Sequence, residues 1–79
     1  MPSLTDLYIM NINISFGNKL KKERLKLKLS QEKLALIAGI DRTYVSDIEK
    51  GSRNVSLVIA EKLAIGLKIH ISTLLKDLK

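Results

Sequence analysis

Apolar residues along this chain recur mostly at helical spacing, and the clearest pattern runs from residue 30 to residue 51, SQEKLALIAGIDRTYVSDIEKG. Ser30 offers a hydroxyl cap ahead of the helix formers Gln31, Glu32 and Lys33, and Leu34, Ile37 and Ala38 follow on one face. Gly39 stands where that helix must end in a positive-φ conformation, which glycine adopts without a Cβ penalty. Asp41 can cap a second helix that turns Val45 and Ile48 inward. Its other positions, Arg42, Thr43, Tyr44, Ser46 and Asp47, are left outward or at the margin. The pattern therefore predicts two short helices joined by a tight turn, the second carrying an outer face suited to contacts.

The flanking segments predict the rest of the domain. Residues 16–28 form a basic helix candidate with an apolar stripe of Phe16, Leu20 and Leu27, and with six positive residues against one negative. Leu29, Leu34, Ile37, Ile40, Val45 and Ile48 are expected to lock the two-helix unit together. After Gly51 comes the polar loop Ser52, Arg53 and Asn54. Ser56 can then cap a helix whose inward face is Leu57, Ala60, Leu63, Ala64 and Leu67, with Gly66 weakening its end. A last short helix over residues 72–78 leaves more apolar side chains than a chain this small can cover. The surplus, Ile65, Ile69, Ile71, Leu74 and Leu75, is the candidate dimer surface, the alternative being that it completes the core. Residues 1–15 alternate around Tyr8 to Ile14, which suits a short strand or an extended arm before a domain over residues 16–79. Met10 is an alternative start, which would make the first nine residues an extension.

Composition narrows the classes of function. With 79 residues there is room for one small domain of marginal core size, which self-association would help. A formal net charge of +6 favours a polyanionic partner, and the lysines of residues 16–28 add phosphate attraction to that expectation. Without cysteine there is neither a disulfide framework nor a thiolate metal site, and His70, the only histidine, has no second ligand at metal spacing. No metal or cofactor is expected. The chain shows no GxSxG, HExxH or phosphate-binding glycine loop, so an enzyme is not expected either. No apolar run is long enough to span a bilayer, nor does the start read as a secretory signal, and the expected location is the cytoplasm.

The two-helix segment resembles the helix-turn-helix domains of the phage-repressor-like, XRE-type regulators. The residues that carry the resemblance are Ser30-Gln31, Leu34-Ala35, Gly39-Ile40, Val45-Ser46, Ile48-Glu49 and Gly51; Asp41 to Leu57 looks most like the controller proteins of restriction-modification operons. The resemblance covers about residues 16–70. It implies an all-α fold of five helices with the helix-turn-helix as the second and third, and an ion pair between Arg24 and Glu49. It also implies a homodimer on a pseudo-palindromic double-stranded operator, in an operon that includes its own gene and an endonuclease gene. Contact with RNA polymerase would come from the same body, through acidic residues near the recognition helix.

In such motifs the second helix enters the major groove by its N-terminal residues. Arg42 has the reach for guanine, Thr43 for a hydrogen bond or a thymine methyl, and Ser46 tolerates close approach. By resemblance Tyr44 packs beside a deformable base step. Arg53 is the loop residue placed for a base. Gln31, Lys50, Ser52 and Asn54 are expected at phosphates, and Asp47, repelled by phosphates, suits a local structural role as well as cytosine. Three rival readings stand beside this one: a generic phage or plasmid repressor, an antitoxin-like helical module that binds an acidic protein, and a basic amphipathic membrane binder. The last lacks the aromatic-rich apolar face such helices bury.

Overall fold

Helix α1 (Leu4–Lys26) begins at Ser3, whose hydroxyl accepts from the Asp6 N–H at 3.1 Å while the Asp6 carboxylate accepts from the Ser3 N–H at 3.2 Å. This reciprocal cap satisfies donors that a helix start leaves open. The computed structural model describes residues 1–78, and in it α1 is followed by α2 (Gln31–Ala38), α3 (Arg42–Lys50), α4 (Leu57–Leu67) and α5 (Ile71–Leu75). No strand occurs among the described residues. The fold is all-α, as expected, with the helix-turn-helix as α2 and α3.

The start of the chain departs from the expected strand or extended arm. Residues 4–14 are the first turns of α1. A seven-residue alternation is a weak signal beside a strong cap at one end and a helix at the other, because extending a helix adds one hydrogen bond per residue without a new nucleus. At 23 residues, α1 spans roughly 34 Å at 1.5 Å per residue. It accounts for most of the molecule's longest extent, 38 Å against 23 and 21 Å.

Five helices share one core. Phe16 and Leu20 enter it from α1, Leu34, Ala35 and Ala38 from α2, Val45 and Ile48 from α3, Ala60, Leu63, Ala64 and Leu67 from α4, and Leu74 from α5. Several expected core positions are instead exposed, and neighbours on the same helix take their place. Leu27 is exposed and Arg24 takes the third position of the α1 stripe, continuing the spacing of four from Phe16 and Leu20. Ile37 lies out while Ala35 and Ala38 face in, because the close approach of α2 to α3 and α4 favours small side chains. Leu57 is exposed at the start of α4, and Gly66 is buried in the last turn of that helix, which Lys68 caps at φ 60°. Helix α5 is shorter than expected, ending at Leu75.

Leu74 does not lie on the expected dimer surface. It is wholly buried within a single chain, so it belongs to the core and offers nothing to a second copy. Of the other surplus residues, Ile65 and Leu75 are exposed, while Ile69 and Ile71 are half-buried against the core.

Candidate nucleic-acid interface

Two glycines fix how α3 is presented. Gly39 ends α2 at φ 72°, and the Ile40 N–H donates back to the Ala35 carbonyl at 3.0 Å. Gly51 ends α3 at φ 78°, with the Ser52 N–H donating to the Asp47 carbonyl at 3.1 Å. Both backbones lie in the left-handed region that side chains with a Cβ resist. Ser30 caps α2 through the Lys33 N–H at 3.0 Å. Asp41 occupies the capping position of α3 without a side-chain hydrogen bond to it.

The back of α3 is anchored by a buried polar network. Arg24 Nε donates to Glu49 Oε2 at 2.7 Å and Nη2 to Oε1 at 2.9 Å, a bidentate pair with side chains 8% and 4% exposed. Arg24 Nη1 donates to the Leu29 carbonyl at 2.7 Å, and the Gln31 amide donates to Glu49 Oε1 at 3.1 Å. One ion pair thus ties α1, the α1–α2 turn, the start of α2 and the end of α3. The hydrogen bond from Glu49 raises the Arg24 pKa above the usual arginine value; burial opposes the shift and the carboxylate's charge adds to it. Gln31 stands at the start of α2, as a phosphate contact requires, but one of its amide protons is engaged inside the protein.

A closer contact lies beside that pair, at Gly17, which the sequence pattern did not single out. It is buried against the end of α3, where an added Cβ would overlap the main-chain carbonyls of Ile48 and Glu49. Its signal in the sequence was a glycine three residues before Leu20 inside an otherwise helix-forming run.

The outer face of α3 carries Arg42 and Thr43, both exposed, with Tyr44, Ser46 and Asp47 half-exposed beside them. The loop brings Arg53 onto this face. Its guanidinium carbon sits 4.3 Å from the centre of the Tyr44 ring, and its Nε is 3.6 Å from Asp47 Oδ2. Ser52 is exposed, and its hydroxyl donates to the Asp47 carbonyl at 3.1 Å. Asn54 accepts from Asn13 Nδ2 at 2.7 Å, so the first half of α1 braces the loop that follows the recognition helix. Lys50 is exposed at the end of α3. The base-directed candidates Arg42, Thr43, Tyr44, Ser46 and Arg53 therefore share one side of α3, and Lys50, Ser52 and Asn54 lie at its C-terminal end.

The helix-turn-helix family model matches residues 20–74, a span that takes in every helix from the middle of α1 onward. The chain is 54% identical over 70 residues to control protein C.MunI from a Mycoplasma species, covering 87% of this chain and 95% of that protein. The crystal structure of the restriction-modification controller protein C.AhdI from Aeromonas hydrophila superposes with a TM-score of 0.77 at 47% identity, covering 78% of this chain and 94% of that one. The chain belongs to the helix-turn-helix family of restriction-modification controller proteins. C.Esp1396I, solved as a tetramer with its natural 35 base-pair operator, superposes with a TM-score of 0.77 at 33% identity, covering 85% of this chain and 88% of that one.

The candidate self-association surface lies on α4 and α5. Exposed Leu57 and Val58, with Ile71 and Leu75, line a shallow apolar depression that Glu61 and Lys62 border, and Ile65 continues the exposed row along α4. Leu57 and Val58 were missing from the expected surface. Their signal was the spacing of Leu57, Glu61 and Ile65, four residues apart on the side of α4 opposite Leu63 and Leu67.

Proposed function

We propose that this protein binds its own operator as a homodimer and regulates transcription of a restriction-modification operon. The observation that carries the reading is the division of α3 into a buried side, fixed by Val45, Ile48 and the Arg24–Glu49 pair, and an outer side of Arg42, Thr43, Tyr44 and Ser46 with Arg53 against it. A rigid helix with that polar side can enter the major groove, where an arginine fork matches guanine O6 and N7. The operator-bound tetramer of C.Esp1396I, a relative of the same fold, supports the partner.

In this reading Arg42, Thr43, Tyr44, Ser46 and Arg53 contact bases, while Gln31, Lys50, Ser52 and Asn54 position the protein on phosphates. Two copies joined through Ile65, Ile69, Ile71 and Leu75, with Leu57 and Val58 beside them, would set half-sites about one helical turn, roughly 34 Å, apart. RNA polymerase contact and cytoplasmic location follow from the same role. The domain has no catalytic part in the operon's chemistry.

Footprinting on the gene's own upstream region tests this, paired with Arg42→Ala. The variant should bind the protected site about 1 to 3 kcal/mol more weakly and lose selectivity at one base position. Equal losses on protected and scrambled duplexes would make Arg42 a phosphate contact instead.

A further inference from the structure

We infer that Asp47 is a positioning residue for Arg53, and that the acidic side chain on the recognition helix raises operator specificity by aiming a loop arginine at the base edges. The inference rests on the reading that Arg53 contacts the operator. Asp47 holds the loop at two levels. Its main-chain carbonyl accepts from both the N–H and the hydroxyl of Ser52, each at 3.1 Å, which fixes the residue before Arg53. Its carboxylate lies 3.6 Å from Arg53 Nε while the Tyr44 ring supports the guanidinium face at 4.3 Å.

Stability does not account for this arrangement. Side chains 46% and 31% exposed form a wet pair, and such pairs contribute roughly 0 to 1 kcal/mol. Orientation is the larger effect. Arg53 stands on a loop, where a long side chain samples many rotamers, and ordering it only on contact with DNA would weaken binding. Held at Nε and across its face, the guanidinium keeps its terminal nitrogens for a bidentate acceptor pair such as that of guanine. An acidic residue at this position otherwise works against binding, because it repels the phosphates that supply most non-specific affinity. The two roles of Asp47 therefore predict opposite signs: removing its charge should strengthen binding to random DNA and weaken binding to the operator.

The experiment measures binding of wild type, Asp47→Asn, Arg53→Ala and the double variant to the footprinted operator and to a scrambled duplex, at one moderate salt concentration. Because the main-chain carbonyl that holds Ser52 is untouched by the substitution, Asp47→Asn should keep its melting temperature. Its operator affinity should fall on the order of fivefold while scrambled affinity holds or rises, and Arg53→Ala should cost less in the Asp47→Asn background than in wild type. A rise in affinity for both duplexes, or additive losses in the double variant, would overturn the inference while leaving the operator reading intact. A wild type with no preference for the operator would remove that reading, and the inference with it.

Discussion

Arg24 and Glu49 show how a residue pair can serve function without touching the ligand. Two desolvated charges are costly unless each is matched, and here the guanidinium has three acceptors in reach and the carboxylate three donors. Removing one partner strands the other. Arg24→Ala or Glu49→Ala should destabilise the fold by about 3 kcal/mol in urea denaturation, whereas Arg24→Met with Glu49→Leu should regain part of that loss. Because the Arg24 pKa is raised on folding, its contribution is fully present below the guanidinium's unfolded value and disappears only as pH climbs through the still higher folded one. Stability should therefore show no step from this arginine across the neutral range, and a titration of melting temperature between mildly acidic and mildly alkaline buffer checks it. The pair was legible through family resemblance. Its further bonds to Leu29 and Gln31 were not, since they depend on how the α1–α2 turn closes.

Among the elements, α2 and α3 were the most legible, because their limits are written in local chemistry: Ser30, Gly39 and Gly51 each act within one turn of where they stand. Helix α1 was half legible. Its basic second half has a clear stripe, but Tyr8 to Ile14 alternates over too few residues to compete with the Ser3 and Asp6 cap. Phases within helices were also missed where small residues face the core, as at Ala35, which carries little hydrophobic signal beside Ile37. The docking of α1 on α3 depends on Gly17. Gly17→Ala should lower thermal stability and, by displacing the end of α3, weaken operator binding more than its stability loss explains. An unchanged melting temperature would mean that the two helices part easily. Deleting residues 1–9 leaves Asn13 and Ile14, the α1 contacts to Asn54 and Gly51, in place. That truncated chain, started at Met10, should keep the operator affinity of the full one in the same binding assay.

For the whole molecule, one of the apolar areas that a single chain leaves open lies on α4 and α5, on the far side of the core face that packs α2. Ile65, 68% exposed, and Val58, 66% exposed, are the positions where a charge can be added without entering the core. Ile65→Glu should sediment as a folded monomer with weakened operator binding, because two half-sites are then no longer gripped together. Leu74→Glu would unfold the chain, since that side chain has no exposed surface. The difference between these two outcomes separates an interface from a core. The surplus of apolar residues near the C-terminus was legible as a composition. Its division between core and surface was not, because Leu74 and Leu75 are neighbours in sequence and only the packing of α5 decides which one is covered.

Sequence-selective grip by the outer side of α3 can be read from competition binding. Labelled duplex from the gene's own upstream region is held with purified protein at moderate salt and challenged with unlabelled copies of itself or of a scrambled sequence of equal composition. The scrambled competitor should be needed at an excess of about a thousandfold or more over the specific one. Equal displacement by the two would mean that α3 does not read sequence.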